Sequence, residues 1–283
     1  MKNINLFVFS LVVIGLFSCQ EKKTENEILW KFDNFEKLTY EYHQISENKS
    51  SMMNFGKQDG KMLSKATGLV IVSPKGDGKA DVVFKNVEMS LLSVSEEGDT
   101  IPSMKQSVPD FFMQDMNEFG KVEGNLNQQI ELLAQTLFSI PSEKIKVGET
   151  SKIPVSMPFN MMGSIINVTG FNEVKLESLQ DSKAKVSTVI DISQFDIPKD
   201  ADVNYECYTK GSSNYTFDVA QGYFETIDLN MTMVLKNLTN EDEDKEDKES
   251  DSSFGDPELL KKMAKGLGME MNTTISLKLK EVK

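Results

Sequence analysis

Apolar and polar residues alternate through most of the chain beyond residue 27, at the period of two that sends successive side chains to opposite faces of a strand. Over residues 37–46, Leu38, Tyr40 and Tyr42 alternate with Thr39, Glu41 and His43. Residues 68–73 run apolar into Pro74-Lys75-Gly76-Asp77-Gly78, a turn by composition. Residues 79–95 resume the strand pattern ahead of a second turn at Glu96-Glu97-Gly98-Asp99. The later chain repeats this style over 164–170, 172–179, 183–193, 214–219 and 223–238. Residues 273–282 close it, with Ile275, Leu277 and Leu279 on one face and Ser276, Lys278 and Lys280 on the other.

Between these runs the period changes. Residues 109–119 carry Phe111, Phe112, Met113, Met116 and Phe119, and residues 126–138 carry Leu126, Ile130, Leu133, Ala134 and Leu137 at three- and four-residue spacing. Both predict amphipathic helices, with Ile130, Leu133 and Leu137 as the buried stripe of the second. Residues 257–265 predict a third, short helix, with Asp256 as N-cap, Pro257 in its first turn and Gly266 as its stop. The expected fold is therefore mainly β. It is an antiparallel sheet, open barrel-like or sandwich, in two β-rich halves (28–105 and 139–283) joined by a helical segment at 106–138. The two halves share a phrase: Thr67-Gly68-Leu69 leads through a strand and turn to Lys79-Ala80-Asp81-Val82, and Thr169-Gly170-Phe171 leads likewise to Lys183-Ala184-Lys185-Val186.

Composition narrows the chemistry. The 283 residues hold 31 lysines and no arginine against 44 acids, a net charge of −13. That balance, without the guanidinium fork that grips phosphate in two places, excludes nucleic acid as a partner. One histidine and two cysteines exclude nearly every His/Cys metal site and most nucleophilic dyads. His43, alone on its strand, reads as a surface residue, and no cofactor or metal ligand set is expected. The insertion 240–255 opens with an acid-dominated run, 240–251, that holds no turn-forming glycine, which predicts a solvated insertion rather than a calcium loop. The segment 158–163 (Pro-Phe-Asn-Met-Met-Gly) reads as an apolar loop, and Cys207 as a buried thiol on an alternating strand.

The N-terminus supplies an address. Lys2 precedes an apolar stretch at residues 6–17, too short to span a bilayer of about 20 helical residues but suited to a secretory signal. It ends in Leu16-Phe17-Ser18-Cys19, which resembles the bacterial lipobox, where a signal peptidase cuts before a cysteine that carries diacylglycerol. The resemblance implies a signal peptide at 1–18, a lipidated Cys19 and a polar tether at 19–27. Gln20 stands where aspartate would retain a lipoprotein at the inner membrane, which implies an outer-membrane, cell-envelope protein of either face. In the body, Lys146-Val147-Gly148-Glu149 after the central helix, the Gly211-to-Asp218 strand and Gly222-Tyr223-Phe224-Glu225 resemble a family of uncharacterised β-rich envelope lipoproteins. Asp99-Thr100-Ile101 resembles an envelope O-glycosylation motif centred on Thr100.

These expectations define a nonenzymatic protein anchored to the membrane by lipid, in a binding or scaffolding role toward an envelope protein or lipid. The alternative is a carrier of hydrophobic ligands whose curved sheet is lidded by the central helices, an arrangement that resembles lipoprotein-localisation carriers.

Overall fold

The computed structural model describes residues 28–50, 60–94, 100–122, 128–161, 164–196, 205–237 and 268–283. Its strands are β1 (Leu38–Ser50), β2 (Gly60–Gly76), β3 (Lys79–Val94), β4 (Thr100–Val108), β5 (Phe111–Asn117), β6 (Thr150–Met161), β7 (Ser164–Gln180), β8 (Lys183–Asp196), β9 (Tyr205–Asp218), β10 (Tyr223–Asn237) and β11 (Gly268–Val282). All belong to one open antiparallel sheet ordered β4-β3-β2-β1-β11-β10-β9-β8-β7-β6, with β5 continuing β4 along the free edge of β3. Two meanders, β1–β4 and β6–β11, are thus joined at the centre by the first and last strands, which pair along their whole length from Leu38↔Val282 to Ser50↔Met269.

Short turns explain one end of the sheet. β2 and β3 are linked by Asp77 and Gly78, and β7 and β8 by Asp181 and Ser182, all four at positive φ. That is the type I′ geometry, whose twist matches that of the strands it joins. The β9–β10 turn is held by Asp218, whose carboxylate accepts the amides of Ala220 and Gln221, both at 3.0 Å. The β1–β2, β3–β4, β6–β7, β8–β9 and β10–β11 links, the last holding the acidic run 240–255, fall outside the described residues. So do the signal segment, Cys19 and the helix expected at 257–265.

Bulges bend the strands where glycine allows close approach. The β2–β3 register shifts beside Gly68, and the β7–β8 register shifts at Gly170. A β-carbon on Gly170 would lie 2.1 Å from the Asp191 carbonyl oxygen, and one on Gly68 would lie 2.9 Å from Val87. The shared Thr-Gly phrase therefore marks the same device in both halves: an extra residue that increases local twist.

One expected helix is a strand. Residues 111–117 form β5, in which Met113 and Met116 are both fully buried and pair with Val82 and Ala80. Their three-residue spacing comes from a bulge at Asp115, whose φ is +57°, and not from a helical turn. The segment 158–161 is likewise strand: β6 runs through it as an edge. Ser156 turns its carbonyl away from β7 to accept Gln135 Nε2. Pro154 and Pro158, two residues to either side, thus omit their N–H on the unpaired side, which blunts the edge against further pairing.

The second helix is present as α1 (Gln128–Leu137), packed beside β6. It buries Leu132, Ala134, Thr136 and Leu137, while Leu133 is only half-buried, so the buried stripe is rotated from the expected one. Thr136 returns its hydroxyl to the Leu132 carbonyl at 2.8 Å, which lets a polar residue sit inside. Among the described residues α1 is the one α-helix, accompanied by a 3-10 turn at Phe32–Asn34, and no helix there is long and apolar enough to cross a membrane.

That 3-10 turn belongs to a plug at the short-turn end. Trp30, 1% exposed, sits among Phe32, Phe138, Phe217 and Phe224 with ring centroids 5.1–6.4 Å away. The segment is pinned by the Trp30 amide to the Glu118 carbonyl and the Lys31 amide to the Gly222 carbonyl, each at 3.0 Å. Gly222, at φ +76°, lies so close to Lys31 that a β-carbon would sit 2.3 Å from the lysine side chain.

Candidate functional site

Register and alternation sort the inward side chains into rows that cross the sheet. Nearest the plug, Phe217, Phe224, Leu279, Tyr40, Val70 and Phe84 make an aromatic and aliphatic tier. Farther along the strands the composition changes. The row through Thr188, Ser213, Leu229, Ile275, Gln44 and Ala66 is mixed, and the next brings Met231, Thr273, Ser46 and Ser64 side by side. Beyond it Thr209, Met233, Met271, Asn48 and Met62 are neighbours. Methionine has three rotatable bonds and a polarisable sulfur, so a surface of methionine and hydroxyl groups reshapes more readily than one of packed rings.

Three properties set this methionine tier apart. First, it is uncharged. From the Phe217–Phe224 row to the Met233–Met271 row, no inward position among the described residues holds aspartate, glutamate or lysine, although 27% of the chain is charged. Second, part of it is open. Met231 and Met233 are buried, whereas Met62, Met89, Met269 and Met271 are half-buried.

Third, its polar groups are partly linked and partly unmatched. Tyr42 donates to Gln44 Oε1 along β1. Gln44 Nε2 donates to Ser46 Oγ at 2.7 Å, and Ser46 shares a hydrogen bond with Thr273 Oγ1 at 2.9 Å on β11. Asn48 comes next on the same inward side, and its Oδ1 has no surface and no partner. Asn172 donates to the Gln135 carbonyl at 2.8 Å from β7, leaving its own Oδ1 unpaired, and the Tyr215 hydroxyl is also buried without a partner. A buried polar atom without a partner costs about 1–3 kcal/mol; of these three, Asn48 lies among the methionines, Tyr215 packs against Phe224 and Asn172 meets α1. Burial pushes the Tyr42 hydroxyl up to about 12 and raises that of Tyr215 further. Both remain neutral donors at any physiological pH.

The candidate residues read from the sequence fall elsewhere. Cys19 lies outside the described residues, and Thr100 opens β4 with its side chain outside them. Cys207 is buried on β9 at the far end of the tier, and desolvation raises its thiol above the usual range, the opposite of a reactive cysteine. His43 is exposed on the outer face, beside a hollow of about 340 Å³ that also touches Glu41, Glu88 and Lys280. A larger outer hollow, about 440 Å³, crosses β9, β10, β11, β1 and β2 over Lys210, Asn230, Asn272 and Ile45. Its amides and hydroxyls are already matched to one another, Thr232 to Asn272 at 2.7 Å and Thr274 to Asn230 at 2.9 Å. No group of three or more His, Cys, Asp or Glu among the described residues is placed to hold a metal ion.

Sequence reasoning missed the methionine tier, although a signal was present. The inward series Tyr40, Tyr42, Gln44, Ser46, Asn48 already drifts from aromatic to amide and hydroxyl along one strand. No protein-family model matches the chain, and no curated protein is similar to it in sequence.

Proposed function

We propose that this chain is a nonenzymatic binding protein of the bacterial cell envelope, held to a membrane by lipid on Cys19. Its site is the inward methionine tier, which takes a hydrophobic ligand. The observation that carries this reading is the half-open, uncharged methionine and hydroxyl surface at one end of an otherwise closely packed core. A body built only for scaffolding gains nothing from unpaired amide and hydroxyl groups, which subtract from its stability. The lipobox resemblance at Leu16-Phe17-Ser18-Cys19 supports the anchor, since two or three acyl chains hold a protein on a bilayer lastingly at about 0.8 kcal/mol per methylene.

Two measurements test the two parts. Metabolic labelling with a radioactive fatty acid should mark the wild type and leave Cys19→Ala unlabelled and released from membranes; equal label in both removes the anchor. A titration of the soluble body with the apolar fluorophore N-phenylnaphthylamine should saturate. Met271→Glu, which places a charge in the tier, should weaken that binding at least tenfold with the melting temperature held within a few degrees. Saturation that is indifferent to Met271→Glu places the site elsewhere.

A further inference from the structure

We infer that the ligand of this tier is an uncharged amphiphile: one apolar chain carrying a hydroxyl-bearing neutral head, as in a monoacylglycerol. The inference rests on the binding function proposed above and goes further by assigning the ligand class. An ionised carboxylate or phosphate moved from water into a low-dielectric surface needs a compensating charge or several donors. Among the described residues, the inward face between the plug and the Met233–Met271 row has no lysine to supply the charge. Among the described residues the lysines of these strands sit at other positions. A fatty acid in its ionised form is thereby disfavoured, and so is a phospholipid head.

The hydrogen-bond inventory then sets the sign of the head. Along the half-open part of the tier, the relay Tyr42–Gln44–Ser46–Thr273 is internally matched. The next inward group, Asn48, has a buried amide oxygen with no donor, an acceptor that a ligand head meets by displacing the methionines beside it. An acceptor asks for a ligand hydroxyl or N–H; another acceptor, such as a carboxylate oxygen, would be repelled. Asn48 pairs across the sheet with Met271 on β11 and Met62 on β2, so a head held at Asn48 has pliable apolar walls on both sides. The chain then runs from these methionines toward Met231 and Met233. A surface of thioethers adapts to chains of differing length and unsaturation, whereas the acceptor fixes the kind of head.

The experiment compares three probes with one pyrene-labelled chain: a monoacylglycerol, the corresponding fatty acid at pH 9, and the corresponding alkane. Each is titrated below its aggregation limit against the soluble body. The monoacylglycerol should bind at least tenfold more tightly than the ionised acid. Asn48→Leu, similar in size but without the acceptor, should weaken the monoacylglycerol at least fivefold and leave the alkane unchanged, with a thermal melt confirming that the variant folds. Acid binding equal to monoacylglycerol binding overturns the ligand class but leaves the binding function standing. An equal effect of Asn48→Leu on monoacylglycerol and alkane overturns the role of Asn48 in head selection. If none of the three probes binds, the proposed function falls together with this inference.

Discussion

Replacing Trp30 by alanine should expose how much of the fold depends on the plug. The indole is 1% exposed and touches four aromatic rings contributed by β9, β10, the segment after α1 and its own 3-10 turn. Truncating a buried tryptophan or phenylalanine to alanine costs about 3–5 kcal/mol through lost transfer energy and the cavity left behind. One term works in the opposite direction. Trp30 Nε1 is buried without a partner, so its removal relieves a desolvation penalty of about 1–3 kcal/mol. The net expectation is about 2 kcal/mol, or a fall of about 4–8 °C in melting temperature for a body of this size. Trp30→Phe separates the two terms, because it keeps most of the ring contact and deletes the unmatched N–H. It should lie within about 1 kcal/mol of the wild type. Circular dichroism melts of the three proteins give the comparison, since Trp30 is the only tryptophan and its fluorescence vanishes with it. A loss below 3 °C for Trp30→Ala, or equal losses for alanine and phenylalanine, would refute the account of the plug.

Asp218 gives a pH-dependent test. Burial alone would raise its carboxyl, but the Lys183 hydrogen bond at 2.6 Å and the amides of Gln221 and Ala220 outweigh burial and hold it below the usual range. A depressed folded-state pKa adds stability above the unfolded value of about 3.9, and that stability is lost as pH falls through the folded value. Asp218→Asn should therefore cost about 2 kcal/mol at pH 7, and the gap in urea midpoint should narrow steadily between pH 5 and pH 3; a gap constant with pH contradicts the assignment. Glycines offer a paired test of close approach. Gly170→Ala, with a β-carbon 2.1 Å from the Asp191 carbonyl oxygen, should lower the melting temperature far more than Gly148→Ala, which has φ +86° but open space around it. The latter should cost about 1–2 kcal/mol from backbone strain alone, and equal losses would count against a steric role for Gly170.

Much of the sheet was legible in the residues because burial on one face enforces the two-residue period, as β1 and β11 illustrate with Leu38, Tyr40, Tyr42 against Ile275, Leu277. The turn at Asp77-Gly78 was legible because glycine is readily accommodated at positive φ. The β5 strand was not, since one left-handed residue, Asp115, converts alternation into a three-residue spacing that imitates a helix. Which face of α1 turns inward depended on β6 and β7, whose distance in sequence no local pattern encodes. The plug was obscured for the same reason: Trp30 meets Phe217 and Phe224 only once the sheet has formed. The site suffered most. Asn48, Met62 and Met271 come from three strands, and nothing short of the register makes them neighbours.

The central pairing of β1 with β11 also dictates the order in which this chain can fold. Ser46 and Thr273, hydrogen-bonded across that seam, are 227 positions apart in sequence. Each meander can assemble from near neighbours as it emerges, but the seam has no partner for β1 until β11 is available. Until then β1 pairs only with β2 and β10 only with β9, so two long unsatisfied strand edges persist during synthesis. Such edges invite association between chains, and non-local pairing of this kind slows folding. The fate of every molecule thus turns on residues 268–282. A chain shortened by that one strand would lose the joint between its halves, and both halves would be left with an open edge at what had been the middle of the sheet.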